Sequence, residues 1–190
     1  GTGGAGKIES TVIIGARALN STANHQQIGT IAIGFDALTS TTSGIGNTAI
    51  GYKSGYLSND SYNTLIGYEA MYSGSSAAYN SVVGAQAGYH LREGDKNTIM
   101  GYQAGYNLRD TFEHVAIGYK SLYTLESLNE DDAGYDYGQS RAVAVGAYAL
   151  HLSQDRGEVY NGNVAVGHSA GYKGGADMAQ VPAAQTPKLS

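Results

Sequence analysis

A short apolar run that ends in glycine recurs nine times along the chain and constrains the fold more than any other feature. Each run is rich in β-branched residues, which favour a strand, and the glycine favours a turn after it. The steps between successive glycines are 19, 17, 16, 17, 17, 17, 28 and 21 residues. A period near 17 predicts a solenoid that coils once per repeat, with loops inserted where the step is longer. The repeat glycines are Gly15, Gly34, Gly51, Gly67, Gly84, Gly101, Gly118, Gly146 and Gly167.

The residues around each repeat glycine occupy fixed registers. The third residue after it is always Ala or Ser, which predicts a position where backbones approach closely. The fourth residue before it is Asn in five repeats, and stacked amides at a corner would form a ladder between turns. Ten of the sixteen tyrosines stand one or five residues after a repeat glycine, so the tyrosine excess belongs to the repeat. The five asparagines are Asn47, Asn63, Asn80, Asn97 and Asn163.

The two residues before each repeat glycine are apolar, although they point to opposite faces of a strand. The residue directly before the glycine is Ile, Val or Met, which we interpret as the core position. The preceding residue is often Ala, which we interpret as close packing at an axis between chains. A thin solenoid buries only its inner face, so the second apolar face predicts an oligomer. On this interpretation Ala116→Asp prevents assembly, because it buries an unpaired charge at the axis.

These patterns predict an all-β parallel β-roll or solenoid of about nine turns. The residue two after each glycine is mostly polar, which predicts a solvated outer column. We expect a flexible lead-in at residues 1–10, the repeat domain at 11–174 and an Ala- and Pro-rich linker or tail at 175–190.

The two longest insertions predict a binding region. One covers residues 124–141 and holds five of the sixteen carboxylates, and the other covers 152–162. Binding residues concentrate in loops carried by a rigid scaffold, and regular winding places these loops on neighbouring turns. A solvated loop and a calcium site are the other readings of the first insertion. The receptor-binding candidates are Glu130, Asp131, Asp132, Tyr135, Asp136, Tyr137, Asp155, Arg156, Glu158 and Tyr160.

Several other functions are disfavoured by the sequence. A net charge of -5 argues against nucleic-acid binding, and the absence of Cys removes disulfide and thiolate sites. No apolar run reaches the roughly eighteen residues of a membrane helix, so we expect no direct membrane insertion. The segment Gly1 to Lys7 imitates a phosphate loop, but Ile8 stands where Ser or Thr is needed. The EF-hand spacing fails at Ala133 and Ser140.

The histidines also give no site of their own. None is paired at metal-ligand spacing, and His114, His151 and His168 occupy repeat registers, which predicts a structural role. We therefore expect no metal, no cofactor and no enzymatic activity. A carboxylate pair formed between chains, as in glycoside hydrolysis, stays open as an alternative.

The segment Asn47 to Tyr52 resembles the head repeats of trimeric autotransporter adhesins (YadA-like heads), as does Asn80 to Gly84. The longer form from Gly101 to Tyr106, Gly-Tyr-Gln-Ala-Gly-Tyr, is similar to repeats in bacteriophage tail-fibre proteins. The resemblance implies a left-handed parallel β-roll, intertwined or side by side in a homotrimer. It also implies an extracellular setting, on a virion tail fibre or a bacterial surface.

Three functions follow as hypotheses. The first is a fibre that attaches to a host-surface glycan or protein through the inserted loops. The second is a passive spacer that sets fibre length, with the receptor-binding tip elsewhere. The third is a polysaccharide-cleaving fibre.

Overall fold

Every repeat forms a short strand that ends at the residue before its glycine. In a computed structural model of the chain, residues 8–20, 27–42, 44–109, 111–127, 141–155 and 163–174 are described. Runs of Val, Ile and Thr favour extended backbone here, and the glycine then bends the chain. The repeat strands are β2 (Val12–Ile14), β4 (Ile31–Ile33), β5 (Thr48–Ile50), β6 (Thr64–Ile66), β7 (Ser81–Val83), β8 (Thr98–Met100), β9 (Val115–Ile117), β11 (Val143–Val145) and β13 (Val164–Val166).

The nine repeat strands pair in parallel as one sheet in the order β13-β11-β9-β8-β7-β6-β5-β4-β2. Equivalent repeat positions lie opposite each other, so that Ile99 pairs with Val82 on one side and with Ala116 on the other. This confirms the all-β solenoid built of stacked repeats. The solenoid has about seven turns. That is fewer than the nine expected from the nine recurring glycines.

Two smaller parallel sheets flank the ends of the main sheet. Strand β1 (Ile8–Glu9) pairs with β3 (Gln27–Ile28), so the described structure begins inside the segment expected to be a lead-in. Strands β10 (Thr124–Ser127), β12 (Leu152–Asp155) and β14 (Lys173–Gly174) form the second sheet. The two strands β10 and β12 form the first four residues of the two insertions, and the other residues of each insertion follow in the chain.

The turn after each strand depends on the repeat glycine. Gly101 has φ of +134°, and a Cβ built on it lies 2.5 Å from the carbonyl oxygen of Gly118 in the next turn. Both the dihedral and the space therefore require glycine. The small residue three positions later is buried in most repeats, for example at Ala104 and Ser121. This confirms the predicted close approach of backbones.

The interior of the solenoid is lined by the residue two before each glycine, and our assignment of the two strand faces is wrong. Ala116 and Leu65 are fully buried within the single chain, so Ala116 does not face an axis between chains. The column is Ala at five of its eight buried positions and Leu, Val or Ile at the other three. Its members after the exposed Ile13 are Ala32, Ala49, Leu65, Val82, Ile99, Ala116, Ala144 and Ala165.

A second inner column stands four residues after the repeat glycine. It is Leu or Met in most repeats, such as Leu38 and Met71, which are fully buried. Where the position is glycine, a leucine three residues further on can fill the same space. A Cβ at Gly105 would lie 2.8 Å from Leu108 Cδ1, and Leu108 is fully buried. The core thus keeps its volume while the residue that supplies it shifts along the chain.

The bulky residue directly before each glycine points outward. Ile14 is 57% exposed, Met100 48% and Val166 67%, and the remaining members are partly exposed. We call this column the outer stripe. It comprises Ile14, Ile33, Ile50, Ile66, Val83, Met100, Ile117, Val145 and Val166. Both strand faces are apolar, as the sequence indicates, but the large residues are the ones left outside.

Candidate functional site

Four of the five predicted asparagines, Asn47, Asn63, Asn80 and Asn97, form a ladder inside the corner of the solenoid, and Ala142 in the same register separates Asn163 from it. The backbone N–H of Asn97 donates to Asn80 Oδ1 at 2.9 Å, and Asn97 Nδ2 donates to the same oxygen at 3.0 Å. Asn80 Nδ2 in turn donates to the carbonyl of Gly94 at 2.7 Å. Asn63 and Asn47 repeat this arrangement one and two turns earlier. Each buried amide therefore bonds both its neighbouring turn and a loop carbonyl, which fixes the corner.

His114 continues the ladder in the asparagine register. Its backbone N–H donates to Asn97 Oδ1 at 2.9 Å, and its Nδ1 accepts the backbone N–H of Ala142 at 3.0 Å. Burial lowers the pKa of His114 to about 4. The ring is neutral at physiological pH. This confirms the structural role expected for His114.

The tyrosines form two columns of stacked rings along the surface. The second tyrosine column, five residues after each glycine, has ring centroids 5.0–5.2 Å apart. His151 occupies a tyrosine position in it, as its register predicts. The second tyrosine column consists of Tyr56, Tyr72, Tyr89, Tyr106, Tyr123, His151 and Tyr172. Burial in the stack raises the pKa of Tyr89 and Tyr106.

The first tyrosine column, one residue after each glycine, is interrupted. Phe35, Tyr52 and Tyr68 stack at 5.6 and 5.2 Å, and Tyr102 stacks on Tyr119 at 5.5 Å. Ala85 occupies the register between the two groups. The rings next to the interruption are the most exposed of the column, at 50% for Tyr68 and 46% for Tyr102.

A polar row runs between the two tyrosine columns. Lys53 Nζ lies 5.3 Å from the ring centroid of Tyr52 in the first column and 5.4 Å from that of Tyr56 in the second. The polar row has the members Arg17, Asp36, Lys53, Glu69, Gln86, Gln103, Lys120, Tyr148 and Ser169. It is the column that we expected to be solvated.

That expectation is only partly correct, because the polar row is tied together by hydrogen bonds. Arg17 pairs with Asp36 at 2.5 Å, and Asp36 is 1% exposed. Gln86 Nε2 donates to Glu69 Oε2 at 3.0 Å, and Gln103 Nε2 donates to Gln86 Oε1 at 2.8 Å. Asp36 is buried, whereas Glu69, Gln86 and Gln103 are partly exposed. Several side chains of the polar row are therefore held by hydrogen bonds to their neighbours and are not independently solvated.

The receptor-binding candidates fall almost wholly outside the described residues. Asp155 ends strand β12, and its backbone position is opposite Ser127 of β10. The two insertions therefore leave from paired strands, which confirms that they begin on neighbouring turns. The candidates outside the described residues are Glu130, Asp131, Asp132, Tyr135, Asp136, Tyr137, Arg156, Glu158 and Tyr160. Asn163 is described but Gly162 before it is not.

Sequence reasoning missed the interruption at Ala85 and the hydrogen-bonded polar row. The first had a signal, because Ala85 breaks a run of aromatic residues in its register. The hydrogen bonds of the polar row had no signal in the sequence, because Gln and Glu in this register also fit a solvated surface. Within the described ranges, no cluster of three or more His, Asp or Glu is placed to hold a metal ion.

Comparison with protein-family models, curated proteins and solved structures gives no match to this chain. Across the part of the chain that the structure describes, no helix is long and apolar enough to cross a membrane. The functional argument therefore depends on the surface features of the solenoid itself.

Proposed function

We propose that this chain is a segment of a homotrimeric, left-handed β-roll fibre. Its role is to attach a phage or a bacterium to a host cell from a virion tail or a bacterial surface. The observation that carries the proposal is the outer stripe, whose apolar side chains are exposed or partly exposed on all nine strands of the main sheet in a single chain. The resemblance of the repeats to YadA-like heads and to tail-fibre repeats supports the same assembly.

The size of the outer stripe favours a permanent interface. Nine strands at about 4.8 Å spacing make the outer stripe roughly 38 Å long and one side chain wide. A contiguous row of apolar side chains left at the surface of a single chain is typical of an interaction surface. The stripe carries no charged residue. A second and third copy of this chain present the same uncharged strip at the same spacing, so a symmetric closed assembly covers all three.

The oligomer is tested by a matched pair of substitutions on adjacent residues. Ile117 lies in the outer stripe and Ala116 lies in the interior. We expect light scattering of the wild type to give three times the chain mass of 19.7 kDa. Ile117→Asp should yield a folded monomer by circular dichroism, whereas Ala116→Asp should prevent folding because it buries an unpaired charge. Retention of the trimer by Ile117→Asp would contradict this use of the stripe.

Host binding is assigned to the two insertions after β10 and β12. They leave from strands paired in register, so they emerge side by side. Three copies of a weak site gain avidity when the geometry allows simultaneous engagement. The test replaces residues 129–139 by a short Gly-Ser linker and measures attachment of labelled trimer to candidate host cells. Shortening 157–161 tests the second insertion in the same way, and equal attachment by both variants and the wild type would remove the insertions from the mechanism.

A passive spacer is the second candidate, favoured by the unbroken asparagine ladder from Asn47 to His114. Such a ladder stiffens a rod without any binding surface. The same attachment assay separates the two functions, because a spacer alone gives no cell binding in isolation.

A further inference from the structure

The edge strands β2 and β13 of the main sheet lie at opposite ends of the solenoid and leave apolar residues exposed there. In that sheet β2 pairs with β4 and β13 pairs with β11, so one edge of each strand has no strand partner among the described residues. Neither strand carries a charged residue, although charge commonly protects an exposed edge from pairing. Ile13 in β2 is 44% exposed, and Val166 in β13 is 67% exposed. Both ends of the stack are therefore candidate docking surfaces.

Inside the solenoid, two registers on neighbouring turns share one space. The first is the residue four after a repeat glycine, and the second is the residue two before the next repeat glycine. A Cβ built on Gly55 lies 2.6 Å from Leu65 Cδ1 of the next turn, and one built on Gly88 lies 3.3 Å from Ile99 Cδ1 of the next turn. A large interior residue of the next turn thus fills the space that a glycine leaves.

The residue pairs at the internal junctions between turns follow this sharing of volume. Where the first residue is Leu, the second is Ala in all four cases, and Met71 is followed by Val82. Gly105 is followed by Ala116, and there Leu108 of the same turn lies over the glycine instead. The four Leu–Ala pairs are Leu19–Ala32, Leu38–Ala49, Leu122–Ala144 and Leu150–Ala165.

The last turn has a glycine in the first register, and the first turn has an uncovered isoleucine in the second. Gly171 has φ of +63°, close to Gly55 and Gly88, and the residue three further on is Gly174 and not a leucine. Among the nine described residues of the interior column, Ile13 alone is exposed. By the pattern of the internal junctions, Gly171 fits a large interior residue in a following turn, and Ile13 fits a glycine in a preceding turn. A second copy of this chain supplies both.

The backbones of the two ends also match. A Cβ on each of the first eight repeat glycines would meet the carbonyl of the next repeat glycine, whereas a Cβ on Gly167 has no described atom within 4 Å. A copy displaced along the stack by nine strand spacings, about 43 Å, places its Gly15 over Gly167 and its β2 parallel to β13. Residues 1–7 and 175–190 contain no apolar run that ends in glycine, so a second copy matches either edge better than these segments do.

We propose that copies of this chain stack head to tail, with β13 of one copy pairing in parallel with β2 of the next. Such a contact joins two different surfaces, so it does not close on itself and extends into a rod. This goes beyond host attachment, because it gives the fibre a means of elongation. It does not require the trimer, since stacking uses the ends of the solenoid and the outer stripe lies along its side.

Two single substitutions should disrupt the contact in opposite ways. Gly171→Leu fills the space that Ile13 of the next copy needs, and Ile13→Ala leaves that space empty. Each should weaken stacking by about tenfold or more. Other turns carry the same residues in the same registers, for example Leu150 with φ of +47° and Ala32, so both variants should fold, which circular dichroism checks. Leu57→Ala, which removes exposed apolar volume away from both ends, is the control and should stack as the wild type does.

Two combinations should restore stacking. The double variant carrying Gly171→Leu and Ile13→Ala has the Leu–Ala pair found at four internal junctions. An equimolar mixture of the two single variants should also stack in alternation, because the Gly171→Leu end fits the Ile13→Ala end and the two remaining ends are those of the wild type. Restoration in the mixture requires contact between different molecules, so a change within one chain does not produce it.

Small-angle X-ray scattering over a concentration series measures the length and the cross-section of the rod separately. We expect the wild-type length to increase in steps of about 43 Å as concentration rises. Each single variant should stay near one step at concentrations where the wild type forms two or more, and both combinations should regain the wild-type length.

Three results would overturn the proposal. They are a wild-type rod that stays one step long at high micromolar concentration, single variants that stack as the wild type does, and a loss of stacking that neither combination restores. Stacking changes the length of the rod and the trimer changes its cross-section, so the two proposals fail separately. A short rod with the cross-section of three chains would leave the trimer standing, and a long rod with the cross-section of one chain would leave the stacking standing.

Discussion

The asparagine ladder yields the sharpest stability prediction, through Asn80→Ala. The Asn80 side chain donates to the carbonyl of Gly94 at 2.7 Å and accepts the backbone N–H of Asn97 at 2.9 Å. Asn80 is 1% exposed, so water does not replace these bonds. Two buried backbone groups lose their partners, each at a cost of about 1–3 kcal/mol. We expect the free energy of unfolding to fall by about 4 kcal/mol, a large share of the 5–15 kcal/mol of a typical domain.

Denaturant unfolding at a fixed protein concentration measures this loss, because assembly makes stability concentration-dependent. Ser76→Ala, at an exposed position four residues before Asn80, is the control and should change the free energy of unfolding by less than about 0.5 kcal/mol. Amide hydrogen exchange of Asn97 gives a local readout, since its N–H loses its acceptor. A loss below about 1 kcal/mol with unchanged protection of Asn97 would refute the account of the ladder.

Asn80→Asp at the same site should make the stability of the protein depend on pH. The carboxylate keeps an acceptor for Asn97 but cannot donate to Gly94. Burial raises the pKa of the introduced carboxyl, so the folded state binds a proton more readily than the unfolded state does. The free energy of unfolding of this variant should therefore rise as pH falls from the pKa of the carboxyl in the folded state to its lower pKa in the unfolded state. The measurement is the melting temperature of the variant at a series of decreasing pH values. A melting temperature that only falls with pH would contradict this account.

Three further predictions concern single positions. Gly101→Ala should destabilise by about 3 kcal/mol or more in denaturant unfolding, because its φ of +134° and its contact with Gly118 both exclude a Cβ. The pKa of His114 falls from 6.5 to about 4 on folding, so stability should drop as pH falls from about 6.5 to about 4, by roughly 3 kcal/mol in total. His114→Asn should remove that part of the pH profile of the melting temperature. Tyr89→Ala removes two stacked ring contacts of 5.0 and 5.1 Å and an edge contact of 4.7 Å with His90, so it should cost about 2 kcal/mol by thermal unfolding. An unchanged melting temperature would show that these contacts add nothing to stability.

Periodicity predicted the parts of the fold that depend on identical spacing. The strands, the turn glycines, the small residues after them and the ladder from Asn47 to His114 all follow from one register. A stacked solenoid repeats each contact at every turn, so a pattern in the sequence translates directly into a column in space.

The face assignment could not be predicted from residue type alone. Ile117 is more apolar than Ala116, and size suggested that the larger residue is inside. The deciding quantity is the depth of the interior, which depends on how closely the opposing walls approach. The hydrogen-bonded polar row depends on side-chain contacts between turns, which the residue types in one register do not show.

The direction of the hydrogen bonds has a mechanical consequence for a fibre. The strands lie across the stack, so the backbone bonds, the asparagine ladder and the stacked rings all point along it. Tension applied to the two ends of the stack therefore acts on the contacts between one pair of turns at a time. It does not load the hydrogen bonds of many turns together. We expect a single chain to lengthen turn by turn at low force. Wrapping three chains around one another would share the load, so assembly would set the tensile strength of the rod while its turns set the length.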